Sequence, residues 1–199
     1  MKKVDGFIYK TFLRKNLLSP TRVIAERVDQ INSFEYQKYK ALARTEITLD
    51  GDEYSYKQVF YRPQKHQADK AEILLLADAL EYLANIGFVH GDINRKNVIY
   101  TQEGFKIIDF EPDLFQYKGN RAQMMFTVPY VAKCDVERNA ISTLTDKIGF
   151  IYFLLRISGK FSARDIVQLS KNFEHERYLG MNEMDLMSCS YRYLVNQYI

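Results

Sequence analysis

An α+β fold of two unequal portions is predicted from three observations. The first third of the chain carries strand and helix patterns in turn, ending in two strand-like runs joined by Asp50-Gly51-Asp52. The later part has apolar positions recurring at helical spacing, over residues 67–85 and again from Thr145. Between those helices lies a polar loop followed by a second hairpin, residues 88–111, FVHGDINRKNVIYTQEGFKIIDFE. The pattern reads as one domain, 1–199, with a small strand-rich portion at 1–62 and a mainly helical portion at 63–199.

In chain order, residues 7–13 read as a strand that contains Lys10. Ser19 can cap free amides and Pro20 suits a first helical position, and Val23, Ile24, Val28 and Ile31 give the helix that follows an apolar face. Residues 45–61 read as strand, turn, strand, with one buried face over 54–61, and Arg62-Pro63 breaks the second strand. Residues 67–85 form a helix with Ile73, Leu76, Leu80 and Leu83 on one stripe and Gly87 as its stop. The runs 97–100 and 105–108 pair as strands around a tight turn at Glu103 and Gly104. Residues 112–125 have mixed composition, with a turn at Gly119 and Asn120. The helix opened by Thr145-Asp146 is apolar nearly all round as far as Gly159, the mark of a buried helix. Ser162 caps the next segment, and one or two further helices reach Ile199.

The composition is that of an ordinary globular chain. Hydrophobic residues make up 47% and charged residues 27%, so neither a disordered nor a membrane-embedded class fits. The net charge of +3 is spread along the chain without a basic block, which gives no support to nucleic-acid binding or to an anionic membrane surface. Two cysteines, Cys134 and Cys189, are too few for a disulfide framework or a zinc site. No apolar run reaches membrane-spanning length and none follows the initial lysines as an export signal would require, so a reducing, cytoplasmic setting is expected.

The chemistry is concentrated in residues 88–111. Phosphoryl transfer from ATP needs a carboxylate to orient the attacking hydroxyl and oxygen ligands to hold magnesium against the phosphates. Asp92 suits the first task as the catalytic base, and Asn97 and Asp109 suit the second as metal ligands. The hairpin between them would bring those two ligands side by side.

His90-Gly91-Asp92 followed by Asn97 resembles the catalytic loop H-R-D-x-x-x-x-N of protein kinases, and Asp109-Phe110-Glu111 stands where D-F-G stands. By this resemblance the chain is identified as a member of the protein-kinase superfamily, small and atypical. The resemblance implies a protein-kinase-like fold with a truncated N-terminal lobe, a reduced helical C-terminal lobe, and ATP with Mg2+ as cofactors. It further implies that Lys10 contacts the ATP phosphates and is held by an acid of the first helix, Glu26, or failing that Glu35. It makes His90 structural, makes Asp146 the anchor of the loop backbone from below, and makes Arg62-Pro63 the hinge that meets adenine.

The departures from the family narrow what the resemblance implies. Gly91 replaces the Arg that reads an activation-loop phosphate, and His-Gly-Asp with Asp-Phe-Glu is also similar to aminoglycoside phosphotransferases and lipopolysaccharide-core sugar kinases. Asn94 stands where serine/threonine kinases carry a phosphate-contacting Lys, and Lys96 is the residue that could supply that charge. Only nine residues precede Lys10, with Gly6 the sole glycine among them, so no glycine-rich hairpin is expected over the phosphates. Residues 126–132, FTVPYVA, loosely resemble the stretch that forms the substrate platform of protein kinases. A protein serine or threonine is therefore the favoured acceptor, with a small-molecule hydroxyl as the alternative. A partner protein completing the small lobe, or a catalytically silent scaffold, is the reading from a different class.

Overall fold

The structure is a computed structural model that describes residues 1–65, 69–118, 121–124, 130–170 and 180–199. Asp5 and Gly6 both have positive φ, +48° and +79°, the backbone of a two-residue hairpin turn that Asp and Gly accept at least cost. Lys2–Val4 (β1) therefore folds back on Phe7–Leu13 (β2). A short hairpin thus does precede Lys10, and the Asp-Gly pair was its signal in the sequence. After a single 3-10 turn the chain enters Thr21–Ser33 (α1), with Pro20 at its N-cap position and no side-chain cap. Ser19 does not cap this helix. Its hydroxyl donates to Asp113 at 2.6 Å, and the backbone amides of Leu18 and Ser19 donate to the same carboxylate, so the chain before α1 is tied to the segment beyond the site.

Thr45–Asp50 (β3) and Glu53–Val59 (β4) complete an antiparallel sheet in the order β1-β2-β4-β3. The register pairs Lys10 and Ile47 with Tyr56, so these three side chains share one face. That face is the covered one. Ile24, Val28 and Ile31 of α1 are buried in the same core as Ile47, Tyr54 and Tyr56, while Tyr9, Thr11, Glu46 and Thr48 of the opposite face are exposed.

Lys70–Asn85 (α2) begins at Asp69, whose side chain accepts from the Glu72 amide while Glu72 reaches back to the Asp69 amide, a reciprocal cap. The expected start at 67 lies outside the described residues. Ile73, Leu76, Leu80 and Leu83 are all buried, and the helix stops at Gly87, which adopts φ +73°. Val98–Thr101 (β5) and Gly104–Ile107 (β6) form the second hairpin. It is stitched to the first portion by Ile107 N–H to Ala41 O at 2.6 Å and Ala43 N–H to Ile107 O at 2.9 Å, and to the connecting segment by Gln64 N–H to Tyr100 O at 2.8 Å.

Residues 112–125 contain a third hairpin of Phe115–Lys118 (β7) and Arg121–Met124 (β8); the turn expected at Gly119 and Asn120 lies outside the described residues. The helices that follow are Lys133–Arg138 (α3), Thr143–Ile157 (α4), Ala163–Ser170 (α5), Glu183–Ser188 (α6) and Tyr191–Tyr198 (α7). Helix α4 is buried continuously from Leu144 to Leu155, as its all-round apolar pattern requires, and is the central rod of the helical portion. Helix α7 packs on α2 and α4, with the Tyr191 amide donating to Glu81 at 2.8 Å. No helix of the described residues is long and apolar enough to cross a membrane.

Candidate active site

The β5–β6 hairpin sets the first two site residues. Val98 pairs with Ile107, and just beyond that pair the Ile108 amide donates to the Asn97 carbonyl at 2.8 Å. Asn97 and Asp109 are therefore neighbours across the open end of the hairpin. Asp109 has φ +70°, a left-handed backbone that costs a non-glycine residue roughly 1–2 kcal/mol. Its amide is met at 2.9 Å by the Gln58 side-chain oxygen, which also accepts the Tyr56 hydroxyl, so β4 braces the bend. Phe110 is fully buried, with the rings of Phe34, Phe88 and His90 at its edge or face.

The loop ahead of the hairpin is held from beneath by α4. The Asp146 carboxylate accepts the His90 and Gly91 amides, each at 2.7 Å. Burial pushes the Asp146 carboxyl above its ordinary range; the His90 ring, the two amides and the Arg27 charge pull the other way. His90 itself is buried. Its Nδ1 lies 3.3 Å from the Asp92 amide, which donates to it, and that leaves Nε2–H to donate to the Ile108 carbonyl at 2.9 Å. The histidine thus joins the loop to the hairpin and works as a brace.

Asp92 points its two oxygens at two amides. Asn94 Nδ2 donates to Oδ1 and Asn97 Nδ2 to Oδ2, both at 2.6 Å. Asn94 also accepts the Lys96 amide at 2.7 Å, so its side chain orders the loop on both sides. The Lys96 side chain stands exposed on that loop.

Close approach of α4 to this loop depends on Gly149. A Cβ there would lie 2.4 Å from the Ile93 carbonyl oxygen, a backbone atom with nowhere to rotate. Helix propensity favours Ala over Gly by about 1 kcal/mol, but overpacking costs about 1–3 kcal/mol. Gly149→Ala is therefore expected to lower stability and displace the loop; a thermal midpoint equal to or above the parent's would contradict this packing.

Lys10 enters from β2 and makes ion pairs with Asp109 and, at 3.2 Å, with Glu111. Burial draws its ammonium down, but the Asp109 hydrogen bond and charge, followed by those of Glu111, outweigh it and leave the pKa raised. The expected helix partner is not there. Glu26 is exposed and pairs with Arg22 one turn back at 2.7 Å, and Glu35 pairs with Lys38 at 3.5 Å. Residue 26 falls on the outer face of α1, and the next residue, Arg27, is the one the helix turns inward.

Arg27 is half-buried with its guanidinium turned inward, donating from Nε to the Glu111 carbonyl at 2.6 Å and from Nη1 to the Val89 carbonyl at 2.9 Å, with its guanidinium 4.1 Å from the Phe88 ring centre. Its Nη2 is the single buried side-chain nitrogen or oxygen without a hydrogen-bond partner among the described residues. Burial lowers its pKa to about 10, against the pull of Asp146, Glu111 and Asp113, so it remains a cation at neutral pH.

The structure thus brings Lys10, Asp109 and Glu111 together, joins Asp92 to Asn97, and sets Asp146 and His90 under the loop. Glu26 stands apart from this group. Asn94, Gln58, Arg27 and Glu111 have parts here that spacing alone did not reveal, and for the last the Asp-Phe-Glu departure was the only signal. Asp135 of α3 was also missed: it is buried and accepts the Ser142 amide, the Ser142 hydroxyl and the Thr145 hydroxyl, locking α3 to the start of α4. Of the platform-like stretch 126–132, residues 126–129 lie outside the described residues; Tyr130, half-buried, is close enough to Asp92 and Arg95 for their charges to act on its phenol, which burial pushes up. Comparison with known proteins finds no family model that matches the chain and no curated protein similar to it in sequence.

Proposed function

We propose that this chain is an ATP- and Mg2+-dependent phosphotransferase acting on an alcohol, with a protein serine or threonine as acceptor. One arrangement supports the reading: Lys10 of β2 pairs with Asp109, Asn97 donates to Asp92, and the Ile108 amide, one residue before Asp109, donates to the Asn97 carbonyl, so these residues from far apart in sequence gather at the end of the β5–β6 hairpin. The resemblance of His90-Gly91-Asp92, Asn97 and Asp109-Phe110-Glu111 to the kinase motifs supports it.

The donor set suits magnesium. Asp109 offers a carboxylate, and Asn97, whose amide nitrogen is used on Asp92, offers its side-chain oxygen. The described residues hold no cluster of three or more His, Cys, Asp or Glu ligands, and magnesium commonly completes its shell with water and phosphate oxygens. When bound, the metal would draw charge from the transferring phosphoryl group. The chain's own residues do the rest. Lys10 leaves Asp109 to meet the phosphates. Asp92, its carboxylate oriented by Asn94 and Asn97, accepts the proton of the attacking hydroxyl. Asp146 and His90 keep that carboxylate in place. The setting is a reducing cytoplasm in which Cys134 and Cys189 stay thiols.

Calorimetric titration with ATP tests this reading. Binding is expected with magnesium and should weaken about tenfold or more in Asp109→Ala, the scale for loss of one charged ligand. Absence of binding at millimolar nucleotide would overturn it. Transfer of label from ATP to protein, against transfer to a small alcohol, then separates the two acceptor classes.

A further inference from the structure

We propose that Glu111 is the standing counter-ion of Lys10, the acid that keeps the lysine in the site when Asp109 turns to the metal, and that Arg27 ties α1 to this pair. The proposal rests on the phosphotransfer reading for its purpose and on geometry for its content.

Asp109 and Glu111 flank Phe110, which is fully buried in an aromatic cluster and anchors the segment between them. Lys10 meets both acids. Asp109 holds the ammonium through its Oδ1, and a cation drawn to the same carboxylate would compete with the lysine for it. Glu111 has no such second duty, and at 3.2 Å it is already in contact. The two candidate acids of the α1 region, Glu26 and Glu35, are occupied with Arg22 and Lys38 on the surface.

Arg27 makes the pair dependent on α1. It grips the carbonyl of Glu111 itself and the carbonyl of Val89, just ahead of His90, so one side chain spans both ends of the 90–111 segment. It sits on the Phe88 ring, next to the buried Phe110. A shift of α1 would move Glu111 relative to Lys10 through this bond. Arg27 and Glu111 are positioning residues: neither needs to touch the phosphates.

The test reads Lys10 directly and does not require nucleotide to bind. The whole protein is treated with an amine-acylating reagent, and labelling is followed lysine by lysine by mass spectrometry. In Asp109→Ala, Lys10 is expected to label within about twofold of the parent rate, because Glu111 still holds it; adding Glu111→Gln should raise its rate about tenfold or more. The other lysines, labelling as before, exclude unfolding as the cause. Glu26→Gln should leave Lys10 protected, and Arg27→Met should release it in part. Release of Lys10 by Asp109→Ala alone, or by Glu26→Gln, overturns the proposal. MgATP titration of Glu111→Gln, expected to weaken binding about tenfold, adds the functional arm. A parent protein that binds no MgATP would overturn the phosphotransfer reading, and the labelling result would still decide whether Glu111 holds Lys10.

Discussion

Asp146→Ala is expected to lower the stability of the protein by about 2–4 kcal/mol and to abolish the proposed phosphotransfer even in the molecules that remain folded. The carboxylate is buried under the loop and accepts two backbone amides at 2.7 Å. Removing it strands both donors away from water, at about 1–3 kcal/mol each. Part of that loss is returned, because burial already penalises the charged carboxyl and raises its pKa. Asp146→Asn, which keeps one acceptor and opposes the second amide with a donor, should fall between the parent and alanine. Urea unfolding checks the order. An unfolding free energy within about 0.5 kcal/mol of the parent's for Asp146→Ala would mean that the loop does not hang on α4.

Asp92→Ala should leave the fold intact and lower the rate of phosphoryl transfer by about 10²–10⁴, the range for loss of a positioned base. Asp92 is half-buried and takes no part in the helices or sheets, so its removal releases the amides of Asn94 and Asn97 without opening a cavity in the core. MgATP affinity should change little, since the magnesium and phosphate contacts proposed above fall to Asn97, Asp109 and Lys10. A loss confined to the rate at saturating ATP is the signature sought. A variant with the parent's rate would remove Asp92 from the chemistry, and one that lost ATP affinity in proportion would make its part structural.

Much of this architecture is local and was legible as such. Strand alternation placed β2, β3 and β4; apolar stripes placed α1, α2 and α4 to within a few residues; Gly87 and Gly104 marked turns that their positive φ angles confirm. The order of His90, Asp92, Asn97 and Asp109 singled out the site, because each lies on one short loop or at one end of one hairpin. Two local signals were overlooked, Asp5-Gly6 and the Asp69–Glu72 cap, although both were written in turn and capping residues.

The partners of the charges were a different matter. Spacing offered Glu26 for Lys10, yet which face of α1 turns inward depends on how the helix sits against the sheet, and the answer put Arg27 inside and Glu26 in water. Asn94 and Gln58 carry no motif; they matter because the loop and β4 come within 3 Å of the atoms they satisfy. Gly149 reads as an ordinary helix glycine until Ile93 is laid against it. The sequence by itself determined which segments are helix or strand and which residue types gather near one loop, since those follow from periodicity and turn chemistry within a few positions. Which charge meets which was decided only by tertiary packing, because an ion pair or a buried amide is satisfied by whatever side chain the fold brings within hydrogen-bond distance, at any separation along the chain.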